Sequence, residues 1–81
     1  MSEQNKKGTK LKLLLGDMGV EILLAIEKGA TKKDTIRLIS GVPIECINGR
    51  IPVLLDLNLI INTSTGYYIT HRGIEFLKEI S

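Results

Sequence analysis

Few side chains in this chain have types and spacing suited to chemistry, and most of those are cations. Lys32 and Lys33 directly follow Thr31, where Gly29 stops one helix and a new one begins. A helix start carries free backbone N–H groups and the positive end of the dipole. Two ammonium groups beside it suit an anion such as a phosphate. Arg72, with His71 before it, is the nearest cation to a second candidate surface further along the chain. Between them lie Glu45, Asn48 and Arg50. An Asn can pair bidentately with adenine and an Arg with guanine, while a Glu can accept from cytosine N4. Each has a plain structural alternative. Asn48 suits a helix cap or kink, Arg50 an ion pair with Glu45 or Asp56, and Lys32 and Lys33 a solvated pair.

Other chemistries find no material. The single Cys excludes an internal disulfide framework and a multi-Cys zinc site, and the single His leaves no imidazole cluster. No paired acid and base or nucleophile with a neighbouring base stands out, so an enzyme is not expected, nor a cofactor, a metal or a small-molecule ligand. Cys46 reads as a small buried hydrophobe; a redox role would need a thiol from outside the chain. No apolar run approaches the roughly 20 residues of a membrane span. No secretion signal is recognisable, so a cytoplasmic location is expected.

The 81 residues suffice for one small domain. The net charge is +2, and the excess lies early: Lys6, Lys7, Lys10 and Lys12 stand against Glu3 alone in residues 1–15. Residues 1–10 read as a flexible basic arm and residues 11–81 as the domain. The arm suits phosphate contacts through counterion release, or simply a solvated tail. The apolar content is aliphatic, with one Phe, two Tyr and no Trp. So small a core makes a homodimer plausible.

Spacing then supplies the elements. Residues 11–15 suit a strand or a lead-in to the first helix. Asp17 caps that helix, Val20, Leu23 and Leu24 follow its period, and Gly29 ends it. Thr31 starts a second helix with Asp34 in its first turn, Ile36 and Ile39 facing inward, and Ser40-Gly41 at its end. Pro43 opens a third helix that buries Ile47, Ile51 and Leu54. Pro52 lies in its interior and, with Gly49, predicts a kink or a helix in two pieces. Residues 59–63 and 67–70 read as a hairpin around Ser64, Thr65 and Gly66. Thr70 caps a last helix carrying Ile74, Phe76, Leu77 and Ile80. The fold class is mainly α with a small β-hairpin, an α+β arrangement.

Ser40-Gly41-Val42-Pro43, followed by Ile47, Arg50, Ile51, Leu54 and Leu57-Asn58-Leu59-Ile60, resembles the turn and third helix of a winged helix-turn-helix domain. Tyr67, Ile69, Thr70, Gly73, Phe76 and Leu77 resemble the family's wing and last helix. Together they cover roughly residues 17–80. The likeness is to small archaeal and bacterial transcriptional regulators of the MarR, ArsR and PadR group. It implies a homodimer on double-stranded DNA with the third helix in the major groove. On that reading Thr31, Lys32, Lys33, Arg72, Lys6, Lys7 and Lys10 hold phosphates, and Asn48, Arg50 and Glu45 face bases. The dimer contact would come from residues 11–15, the last helix, or both. The alternative is a winged helix that docks a protein through an apolar patch of Ile44, Pro52 and Leu55 and does not bind DNA.

Overall fold

In the computed structural model, residues 7–81 are described, with side chains from Lys10 onward. The order is α1 (Lys7–Glu27), α2 (Lys33–Ser40), α3 (Ile44–Asp56), β1 (Ile60–Thr63), β2 (Gly66–Ile69) and α4 (His71–Ile80). The chain is thus mainly helical with one antiparallel hairpin, as its pattern predicts. No single helix among the described residues is long and apolar enough to cross a membrane.

α1 departs from the expected form. Its helix begins at Lys7, inside the stretch read as a flexible arm, and residues 11–15 are helical rather than extended. It is interrupted at Gly16, whose φ of 70° and ψ of 173° lie in a region that only glycine enters cheaply. The break divides α1 into residues 7–15 and 17–27. Leu11 and Leu15, at i and i+4, face the core from the first stretch, and Leu15 is fully buried. Ile22, Leu23 and Ile26 face it from the second. α4 returns across α1 and inserts Phe76 into the same core.

α2 is short. Gly41, at φ 75° and ψ 4°, ends it with its N–H donating to the Arg37 carbonyl. Ile36 is buried as expected, but Ile39 is exposed, because a helix of two turns presents only a narrow inward stripe. The turn Gly41-Val42-Pro43 then swings the chain through 109° into α3. Val42 is buried, and the Pro43 carbonyl accepts from the N–H groups of Cys46 and Ile47, both at 3.0 Å. α3 buries Ile47, Ile51 and Leu54. It runs as one helix through Pro52, so the expected division into two pieces does not occur. Pro52 is exposed, and its ring points to solvent.

The end of α3 is closed by Asn58, the one non-glycine residue with positive φ (61°) among those described. Its N–H donates to the Leu55 carbonyl and that of Leu59 to the Leu54 carbonyl, each at 3.0 Å. This pair of reversed bonds is the Schellman closure, with buried Leu54 and Leu59 as its hydrophobic contact.

The hairpin pairs Ile60 with Ile69, Ile61 with Tyr68, Asn62 with Tyr67 and Thr63 with Gly66. Its loop is Ser64-Thr65, and the Thr63 hydroxyl braces it by donating to the Gly66 carbonyl and accepting from the Thr65 N–H. Ile60 is buried while Ile61 is exposed, as alternation along a strand requires. The outer edge of β2 is bonded as well: the Tyr67 N–H donates to the Thr31 carbonyl at 2.9 Å.

Candidate functional site

Two surfaces carry the residues singled out from sequence. The first is a groove of about 350 Å³ between the start of α2 and the hairpin. Lys32, Lys33 and Asp34 line one wall; Asn62, Thr63 and Ser64 line the other. Sequence spacing gives no sign that these two walls meet. They meet because the Thr31 carbonyl is bonded to the hairpin, and Thr31 itself lines the groove. Thr31 does not start α2 as expected; half-buried, it anchors β2 through its carbonyl.

The helix starts at Lys33 instead, with Lys32 as its capping residue and no side-chain cap. Its first bond runs from the Ile36 N–H to the Lys32 carbonyl, at 2.9 Å. The N–H groups of Lys33, Asp34 and Thr35 therefore stand ahead of the helical ladder, where an anion can use them. Lys32 is exposed and Lys33 half-buried, and neither forms an ion pair among the described residues. Asp34 lies on the same wall and sets a limit on how much negative charge the groove accepts.

The second surface is the outer face of α3. Glu45, Asn48, Gly49 and Pro52 are exposed together, with exposed Arg50 at the flank. Arg50 pairs with neither Glu45 nor Asp56, and Asn48 lies inside α3 rather than at its cap, its side chain making no hydrogen bond within the described chain. The apolar patch expected here shrinks to Pro52. Ile44 and Leu55 pack against the core, as does half-buried Cys46.

Arg72 does not stand free. Its Nε donates to the Leu57 carbonyl at 2.8 Å, where the chain leaves α3. Three further bonds join the same corner. The Thr70 hydroxyl donates to the Asn58 carbonyl at 2.6 Å and accepts from the Gly73 N–H at 3.0 Å. The Thr70 N–H donates to the Leu59 carbonyl, also at 3.0 Å. Three consecutive carbonyls, of Leu57, Asn58 and Leu59, thus fasten the exit of α3 to the entry of α4. Gly73 makes this approach possible, since a Cβ there would strike the Leu59 carbonyl and the Ile69 side chain. Arg72 is first a clamp on the position of α3, with only its outer guanidinium N–H groups left over. His71 lies outside this corner, within 3.6 Å of Glu75 one turn along.

Of the arm cations, Lys6 and the side chain of Lys7 lie outside the described residues, while Lys10 is exposed on α1. Lys10 does not line the α2–hairpin groove. No family model matches the chain, and no curated protein or solved structure is found similar to it.

Proposed function

We propose that the chain is a winged helix-turn-helix transcriptional regulator that acts on duplex DNA as a homodimer. The observation that carries this reading is the α2–turn–α3 unit. Two helices at 109° are joined by a three-residue turn containing Gly41, in the range of helix-turn-helix units. The second helix keeps its outer face open, with Asn48 and Arg50 unengaged. In this reading α3 enters the major groove, and Asn48 and Arg50 meet base edges. Lys32, Lys33 and the free N–H groups of α2 hold a phosphate, and the hairpin is the wing that closes over it. Arg72 acts chiefly by fixing the pitch of α3.

The test is binding of the protein to a fluorescent random-sequence duplex across a salt series. Each neutralised phosphate contributes about −0.9 to the log–log slope, so a slope steeper than about −3 is expected. The double variant Lys32→Ala with Lys33→Ala should flatten that slope by roughly 2. Binding that ignores salt sinks the proposal.

A docking module that leaves DNA alone is the second reading. It rests on Leu38 and Ile39, which are 72% and 46% exposed on α2. Under it, the double lysine variant leaves partner binding nearly intact, and the duplex series shows no binding at low salt.

A further inference from the structure

The most exposed large apolar side chain among the described residues is Leu13, at 80%, and its neighbour Leu14 stands at 67%. Both lie on the first stretch of α1, which rests on the core through Leu11 and Leu15. At about 100° per residue, Leu13 sits opposite the midline between Leu11 and Leu15. It therefore points straight away from the domain. Leu14 lies to one side of it together with Lys10, at i and i+4, and Lys12 lies to the other side. All four are exposed.

Charge on this ridge has one sign. Residues 4–15 hold Lys6, Lys7, Lys10 and Lys12 and no acid. Neither Lys10 nor Lys12 forms an ion pair among the described residues. The other exposed apolar pair, Leu38 and Ile39 on α2, has both Asp34 and Arg37 on its own short helix, so no sign of charge is selected there. An occupant of the α1 ridge must meet two demands at once: apolar contact for the leucines and negative charge for the lysines on both flanks. A duplex backbone supplies the charge but nothing apolar for two leucines. A second copy of the stretch supplies leucines but sets lysines near lysines, with no carboxylate in the stretch to answer them. The interface of an anionic bilayer supplies both in one plane. We infer that the first stretch of α1 is a docking ridge for an anionic lipid surface. Leu13 and Leu14 enter the acyl boundary, while Lys10 and Lys12 lay their stems along it and extend their ammonium groups to headgroup phosphates on either side. Leu11 and Leu15 stay on the core, so docking requires no unfolding. Two leucines or a few cations are marginal alone, so attachment is reversible and needs both.

The inference stands apart from the DNA reading, because lipid attachment is read without duplex. The full chain should co-sediment with vesicles of phosphatidylglycerol and phosphatidylcholine in equal parts, and stay in the supernatant with phosphatidylcholine alone. Each cation near an anionic surface strengthens partitioning about fivefold, so Lys10→Gln with Lys12→Gln should weaken it about 25-fold. Leu13→Gln with Leu14→Gln should abolish pelleting and leave the helical circular dichroism unchanged, since both positions face solvent. The chain has no Trp, so Leu13→Trp places a single reporter on the ridge. Its emission should shift to the blue on anionic vesicles, and that of Ile61→Trp, on the exposed face of the hairpin, should not. A chain that stays in the supernatant, pellets equally with neutral vesicles, or still pellets after the leucine changes overturns the inference. So does a bound Leu13→Trp variant with unshifted emission. Twice the chain mass in vesicle-free sedimentation, returned to one chain by Leu13→Gln with Leu14→Gln, assigns the ridge to a second copy and also overturns it. Vesicle attachment without duplex binding supports this inference and sinks the DNA reading; a steep duplex salt slope without attachment does the reverse.

Discussion

The Thr70 hydroxyl does two jobs with one oxygen. It accepts from the Gly73 N–H as the cap of α4 and donates to the Asn58 carbonyl at the end of α3. Removing it frees one helix-start donor and one acceptor at the same corner, so Thr70→Ala should cost about 1–2 kcal/mol in chemical denaturation. Thr70→Ser keeps the oxygen and should recover most of that loss. If Ser and Ala are equally damaging, the methyl group and not the hydroxyl holds the corner. The cap was legible in the sequence, because Thr before a helical period followed by Gly73 has few other uses. The clamp was not. Asn58 adopts a positive φ that Asn tolerates but does not announce, and only that turn directs its carbonyl toward Thr70. The Arg72 bond was hidden for the same reason: its partner is a backbone carbonyl, and no side-chain pattern reveals one.

Elements were read well where their period was long and less well where it was short. The three buried positions of α3 and the alternation of the hairpin sit where spacing puts them. Residues 11–15 offer five positions, too few to separate a strand from a helix. The helical reading emerges only when Leu11 and Leu15 are taken as a pair and the window is opened back to Lys7. At Pro52 the expectation was a kink or a division, and the division does not occur. A proline in a helix interior forfeits the bond to the Asn48 carbonyl, yet α3 continues, because Ile47, Ile51 and Leu54 hold both sides of the gap against the core. Packing has overridden propensity. Pro52→Ala should therefore raise stability by roughly 1–3 kcal/mol in thermal unfolding. A lower melting temperature would mean that the exposed ring makes a contact worth more than the missing bond.

At the scale of the whole molecule, one open face lies on α3, and another, on α1, exposes Leu13 and Leu14. If two chains of the proposed regulator pair, folding and association are linked by mass action. The melting temperature of the wild type should then climb by roughly 2–5 °C for each tenfold rise in protein concentration. A wild-type melting temperature independent of concentration contradicts a coupled pair. Composition alone hints at a second copy through its aliphatic bias and small size. Which leucines remain for a second copy depends on which ones the core consumes, and that shows only once α1 is folded.

The packing of α4 across α1 also has a meaning in time. The buried row of Ile22, Leu23 and Ile26 waits for Phe76, fifty residues further along the chain. At roughly 5–20 residues per second of synthesis, that wait lasts seconds. Throughout it α2, α3 and the hairpin are already available, while the core remains open on the side that α4 will cover. The last helix thus closes the core rather than standing as an appendage. A nascent chain stalled before it would offer its apolar row to chaperones instead of presenting a closed domain.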